Sequence, residues 1–171
     1  MSLFENSEFQ WRETYFVMFE QGKRPTAAQM QSVIEGLGDR LKAENMRMTE
    51  DGHFESVTLF APDDFAAMDI ICTVGDEVVE QLPTLIEELE PNMLDAEEKE
   101  QLESIKNCCG RLEVFHFEQH TFTAPEDGVD ANVMDPGGVL IVLQRLNSVC
   151  DGVVVDPQSS CLLYTSDAAD E

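Results

Sequence analysis

The sequence predicts an α+β fold in which helices cover one face of an antiparallel sheet, as in ferredoxin-like domains. Residues 14–19 are a short, nearly all-apolar run rich in aromatic and branched side chains, which is typical of an internal strand buried on both faces. An amphipathic helix follows this strand. Two strands, a helix pair and a strand come next, which gives the split β-α-β order β-α-β-β-α-α-β, extended by a C-terminal helix and strand.

Length and composition bound the domain organisation. A chain of 171 residues with 43% apolar composition suits one domain with a full core. We expect a polar lead-in at residues 1–12 and a single α+β domain at residues 13–160. No apolar run approaches the roughly 18 residues of a membrane span, and the N terminus lacks the features of a signal peptide. The expected location is the cytoplasm.

Residues 161–171 resemble the translated transposase adaptor used in tagmentation sequencing libraries, along the whole run Cys161-Leu-Leu-Tyr-Thr-Ser-Asp-Ala-Ala-Asp-Glu171. The resemblance implies a non-native tail, which is excluded from fold reasoning, and a natural chain that continues beyond Ser160. The alternative is a native acidic tail. Without this segment the chain keeps 32 of its 35 acidic residues against 10 basic ones, so its net charge is −22 instead of −25.

The strong negative charge indicates which partners to expect. It opposes binding to nucleic acid and to anionic membrane surfaces, and it favours association with a basic protein. The alternative is a solvated acidic surface that only maintains solubility. Composition does not decide the oligomeric state.

The first helix is predicted to begin after Pro25. Thr26 can cap it, and Gln29 stands where the second half of a capping box is found. Its apolar stripe consists of Met30, Val33, Ile34, Leu37 and Leu41.

Strand patterns follow this helix. Residues 45–48 are a candidate short edge strand, Gly52 supplies the positive φ of a tight turn, and residues 54–61 are the return strand. Residues 67–74 are the next strand. Its two faces carry Met68, Ile70, Cys72 and Val74 on one side and Asp69, Ile71 and Thr73 on the other.

The helix pair is rich in glutamate. Asp76 is the predicted cap of its first helix, and Pro83 should kink or divide that helix. The apolar stripe consists of Val78, Val79, Leu82, Leu85, Ile86 and Leu89. A second capping box at residues 95–98 opens a short charged helix, and residues 111–119 are the strand after it.

The last part of the domain begins with a loop. Residues 121–134 are acidic and without period, which predicts a mobile loop. Asp135 and Pro136 start a helix that Gly152 ends, and residues 153–155 are the final strand. The buried face of that helix consists of Val139, Leu140, Leu143, Leu146, Val149 and Cys150.

Residues 13–160 resemble a family of uncharacterised bacterial proteins of planctomycete type. The resemblance is carried by residues 54–59, residues 78–82, residues 116–119 and residues 151–159. It implies no known activity, ligand or catalytic residue.

The most specific chemical pattern is His116, Glu118 and His120. On a strand, residues two apart share a face, so two imidazoles and a carboxylate can converge, as in iron, zinc or manganese sites. The alternative is a strand end whose polar side chains face water, since such residues are about 6–7 Å apart on a flat strand. We expect no cofactor, with a divalent transition metal at these residues as the alternative.

The cysteines indicate reduced thiols. Cys72 and Cys150 are predicted to be core residues. Cys108 and Cys109 are adjacent in the sequence and lack the spacing of a zinc ribbon. The sequence also lacks a Walker loop, a dinucleotide glycine fingerprint and a nucleophile elbow, which lowers the expectation of an enzyme.

Three functions remain open. The first is a non-enzymatic cytosolic interaction or regulatory protein whose acidic surface meets a basic partner, an inhibitor or immunity protein being one form of it. The second is a small-molecule sensor that uses the open face of the sheet. The third is a metal-dependent enzyme that uses His116, Glu118 and His120.

Overall fold

A computed structural model describes residues 9–38, 41–61, 66–119 and 136–163. These residues form a mixed α+β fold around one sheet. Its elements are β1 (Phe9–Glu20), α1 (Ala27–Gly36), β2 (Lys42–Met48), β3 (Phe54–Ala61), β4 (Ala66–Val74), α2 (Asp76–Leu89), α3 (Ala96–Ile105), β5 (Cys108–Gln119), α4 (Pro136–Cys150), β6 (Val153–Asp156) and β7 (Cys161–Leu163). A short 3₁₀ helix, Glu90–Asn92, joins α2 to α3.

The sheet has seven strands in the order β2-β3-β4-β5-β1-β6-β7, and every neighbouring pair is antiparallel. The first strand is internal, as predicted. It pairs with β5 on one side and β6 on the other, and Val17 and Met18 are completely buried. The apolar run at residues 14–19 therefore marks an internal strand of the sheet.

The strand order shows that the ferredoxin-like prediction is wrong. That fold places one strand between the two strands that the first helix connects. Here α1 connects β1 to β2, and β3, β4 and β5 all lie between them. The reason is that the candidate edge strand at residues 45–48 is part of a full strand, β2, so three strands separate α1 from α2 instead of the two in the predicted order. Because short connections keep β2, β3 and β4 adjacent, β2 ends at the edge of the sheet.

Helices cover both faces of the sheet, which corrects the prediction of one covered face. On one face α1 and α4 pack against Val17 and Phe19 of β1. On the other face α2 and α3 pack against Met18 of β1 and Val153 and Val155 of β6. A strand that is apolar at consecutive positions needs a cover on each side, so this arrangement agrees with the composition of β1.

Local signals fix the beginnings of α1 and β3. Thr26 Oγ1 accepts a 3.1 Å hydrogen bond from the backbone N–H of Gln29, and Gln29 Oε1 accepts one of 2.9 Å from the N–H of Thr26. This confirms the predicted capping box. Gly52 has a φ of +87°, as the predicted tight turn requires. The strand that follows, Phe54–Ala61, has the predicted boundaries.

The prediction for the start of α2 is wrong. Gly75, with a φ of +96°, precedes the helix, and no side chain caps it. Asp76 is instead the first helical residue, where its carboxylate still faces the positive end of the helix dipole. Pro83 lies inside α2 without dividing it. The helix stays continuous because Val78 and Leu89, on either side of Pro83, are both fully buried in the same core cluster.

The first turn of α3 differs from the predicted capping box by one residue. Asp95 Oδ1 accepts from the N–H of Glu98 at 2.8 Å, as expected. The carboxylate of Glu98 accepts from the N–H of Leu94 at 2.8 Å, not from that of Asp95.

The sheet extends beyond both ends of the predicted domain at residues 13–160. Residues 9–12 are not a lead-in but the first part of β1, in which Phe9 pairs with Gln119 and Trp11 with Phe117. Residues 161–163 belong to the fold, because β7 pairs with β6 and Leu162 is 5% exposed. The adaptor resemblance of residues 161–171 itself stays a prediction. Residues 1–8, the acidic loop at residues 121–134 and residues 164–171 lie outside the described residues.

The two edges of the sheet differ. At one edge β2 is exposed along most of its length, and its pairing with β3 shifts register on either side of Arg47. Asn45 in this strand has a φ of +59°. At the other edge β7 is three residues long.

Gly152 allows α4 to run directly into β6. A Cβ atom at this position would collide with the backbone carbonyl of Met18. We expect Gly152→Ala to lower the free energy of unfolding by about 1–3 kcal/mol, because the central strand has to shift. Chemical denaturation measures the loss.

Gly36→Ala is the matched control for that substitution. A Cβ atom there would lie 3.6 Å from Arg145 Nη1, an ordinary contact, and helical Ala is more stable than Gly by about 0.5–1 kcal/mol. An equal loss of stability in both variants would contradict the close approach at Gly152.

Candidate functional site

Two of the three predicted metal ligands lie on β5 but contact different partners. His116 is 2% exposed, and its Nδ1 lies 3.2 Å from Glu13 Oε2 of β1. Glu118 Oε1 lies 3.1 Å from Arg12 Nη1. His120 lies outside the described residues. Within the part of the chain that the structure describes, no three His, Cys, Asp or Glu side chains form a metal-binding group. The three-residue metal site stays a prediction.

The thiols have the chemistry of core residues. All five cysteines are free, and Cys150 is completely buried. Burial raises the pKa of Cys72 to about 11 and the pKa values of Cys108 and Cys150 to about 12. A thiol is a nucleophile only as the thiolate, so these three cysteines are unreactive at neutral pH.

The opposite face of β5 carries a buried arginine that is not among the predicted site residues. Arg111 is 8% exposed. Its Nε and Nη2 each lie 2.7 Å from Glu113 Oε2, and its Nη1 donates to Gln81 Oε1 of α2 at 2.6 Å. Its guanidinium carbon lies 4.5 Å from the centroid of the Phe16 ring, a cation–π distance. Three elements, β5, α2 and β1, therefore hold this side chain.

The guanidinium group of Arg111 keeps hydrogen-bonding capacity. It has five N–H donors, of which Nη1 and Nη2 carry two each. One N–H of Nη1 is used by Gln81, and one of Nη2 by Glu113. No acceptor among the described residues takes the second N–H of either nitrogen. A planar group in this position can bind a carboxylate or phosphate through those two donors.

A cavity of about 370 Å³ lies beside Arg111, between α2 and the sheet. We call it the Arg111 cavity. Its walls are mainly apolar, and Glu80 and Glu88 of α2, both exposed, also line it. Apolar lining residues include Phe16, Met18, Leu82 and Leu85. An apolar pocket with a few polar groups is the usual form of a small-molecule site.

One sequence signal points to Arg111. Arg111 and Glu113 are two apart within a strand whose other residues are largely apolar, so they occupy one face of it. Charged residues are rarely buried unless paired, so such a spacing on a central strand indicates a buried ion pair. The partners on α2 and β1 have no such local signal.

The outer surface of α2 and α3 is strongly acidic. Residues 76–106 contain eleven acidic and two basic residues, and we call this segment the acidic helical layer. Ten of the eleven are exposed, and Glu98 is half-buried. They are Asp76, Glu77, Glu80, Glu87, Glu88, Glu90, Asp95, Glu97, Glu98, Glu100 and Glu103. One of the two lysines, Lys106, already pairs with Glu103 at 2.8 Å.

Within the described ranges, no helix is both long and apolar enough to span a bilayer. Compared with known proteins, the chain matches no family model, no curated protein and no solved structure.

Tyr15 on β1 gives a test of the packing on the face of the sheet that α1 and α4 cover. Burial raises its pKa to about 12, and the carboxylates of Glu13 and Asp156 add to the increase. An unfolded tyrosine titrates near pH 10. Between about pH 10 and 12 the folded chain therefore keeps a proton that the unfolded chain loses, so the stability from this group is present below pH 10 and falls as pH rises.

We expect absorbance at 295 nm to show a tyrosine transition near pH 12 while circular dichroism reports a folded chain. Tyr15→Phe should remove this transition. A folded chain whose tyrosine absorbance change is complete near pH 10 would contradict the raised pKa.

The metal prediction has a direct test with a matched control. His116 already contacts Glu13, and Glu118 already contacts Arg12. We therefore expect the melting temperature to be the same with Zn²⁺, Mn²⁺ or Fe²⁺ as with a chelator. A metal-specific increase that is lost in His116→Ala and kept in His53→Ala would contradict this expectation and establish the site.

Proposed function

We propose that this chain is a non-enzymatic cytoplasmic interaction protein whose acidic helical layer binds a basic protein partner. The observation that carries the proposal is that α2 and α3 each bury an apolar face and expose an acidic one. Their apolar faces are used in the core, where Val78, Leu89 and Ile105 are completely buried. Their carboxylates face solvent, so the outer surface is free to meet another molecule.

The acidic residues are concentrated in one segment, which favours a binding surface over a charge that only maintains solubility. The acidic helical layer holds eleven of the 35 acidic residues and two of the ten basic ones, so a segment of 31 residues has a net charge of −9. A field concentrated in this way attracts a basic surface over several ångströms and raises the association rate.

An exposed apolar side chain lies within this surface. Leu94, between the 3₁₀ helix and α3, is 84% exposed, and the carboxylate of Glu98 accepts a hydrogen bond from its backbone N–H. Asp95 is its direct neighbour in the chain. An apolar residue surrounded by charge resembles the centre of a protein interface, where a few anchors contribute most of the binding energy. We infer a basic partner with a small apolar pocket.

The test compares two variants with the same change in charge. The first, Glu77→Gln, Glu87→Gln, Glu97→Gln and Glu100→Gln, lowers the net charge of the acidic helical layer from −9 to −5 without changing a residue that lines the Arg111 cavity. The second, Glu35→Gln, Glu44→Gln, Glu50→Gln and Glu55→Gln, changes four exposed glutamates elsewhere. Binding of a synthetic peptide of lysine, arginine and leucine is measured by fluorescence anisotropy.

We expect the first variant to weaken binding by about tenfold and the second to have a smaller effect. Binding should also weaken with salt, because the screening length falls from about 10 Å at 0.1 M to about 3 Å at 1 M. Equal losses in the two variants would mean that net charge alone matters, and the proposal would fail.

A further inference from the structure

We propose that the Arg111 cavity binds a small zwitterion with an apolar side chain, the chemical class of the branched and aromatic α-amino acids. This site lies beside the surface that the proposed protein partner would use and shares Glu80 and Glu88 of α2 with it. The inference rests on three features of the cavity that together select one ligand class.

The first feature is the pair of unused N–H donors on the guanidinium group of Arg111. Arg111 is 8% exposed, and Glu113 and Gln81 hold its guanidinium group in place. Each terminal nitrogen retains one N–H without an acceptor among the described residues. A carboxylate is the ligand group that matches two such donors. Because Phe16 and Gln81 already fix the side chain, little conformational entropy is lost when a ligand binds.

The second feature is the charge around the cavity. Among its described lining residues Arg111 is the only cation, while Glu80 and Glu88 are anions. A simple carboxylate would be repelled by both glutamates and by a chain with net charge −25. A simple amine would leave the free donors of Arg111 unused. A zwitterion has no net charge, and it can direct its carboxylate to Arg111 and its ammonium group to the glutamates.

The third feature is the shape and polarity of the remaining wall. Phe16, Met18, Leu82 and Leu85 provide an apolar surface next to the charged groups. The volume of about 370 Å³ falls in the range of about 300–1,000 Å³ that is typical of small-molecule sites. It is at the lower end of this range, which suits a single amino acid.

Three probes with the same isobutyl side chain test the assignment by calorimetry on the full chain. L-leucine carries both charges, 4-methylpentanoate lacks the ammonium group, and 3-methylbutylamine lacks the carboxylate. We expect leucine to bind and each of the other two to bind at least about tenfold more weakly, since each loses a charge-assisted hydrogen bond.

Substitutions assign each charge to its partner. Arg111→Lys keeps the charge beside Glu113, so the fold is retained, but it removes the planar pair of donors and should weaken leucine binding by about tenfold. Glu80→Gln with Glu88→Gln should weaken leucine and leave 4-methylpentanoate unchanged or tighter. Glu87→Gln, an exposed α2 residue outside the cavity lining, is the control and should change neither.

Three results would overturn the proposal. They are no heat and no thermal shift with leucine, equal affinities for the three probes, or leucine binding that is unchanged in Arg111→Lys. A peptide that ends in leucine and binds where free leucine does not would also overturn it, in favour of a chain terminus as the ligand.

Discussion

The structure depends on the burial of residues 17–19 of β1 on both faces of the sheet. Its backbone pairs with β5 along most of its length and with β6 at Phe16, Val17 and Met18. Its side chains alternate between the core under α1 and α4 and the core under α2 and α3. A strand segment that is covered on both faces requires that the helices on each side of the sheet form. The two helical layers are therefore linked through this one strand.

Local patterns in the sequence were sufficient to predict most elements but not their arrangement. The Thr26 capping box, the turn at Gly52 and the strand after it depend on residues within a few positions of each other. The strand order depends on pairings such as Glu13 with His116, which are 103 residues apart. No local pattern records such a pairing, and a third strand before α2 was enough to change the topology.

The same distinction applies to the candidate sites. The acidic helical layer follows from helical periodicity, because residues between those of the buried stripe must face outward. The Arg111 cavity does not follow from any single segment. Gln81 and Phe16 are separated from Arg111 by 30 and 95 positions. The pairing of β1 with β5 brings Phe16 beside Arg111, and the packing of α2 against β5 brings Gln81 there. For His116 and Glu118, the spacing along the strand can be read from the sequence, but their contacts with Glu13 and Arg12 on β1 cannot.

The irregular edge of the sheet has a consequence for the behaviour of the chain in concentrated solution. A straight exposed strand is a template on which a second sheet can grow, and this is a common route to aggregation. The register shifts around Arg47 and the positive φ of Asn45 interrupt the row of free backbone groups on β2. Lys42 and Glu44 add charge to the same strand. At the opposite edge, three residues are too few to seed such growth.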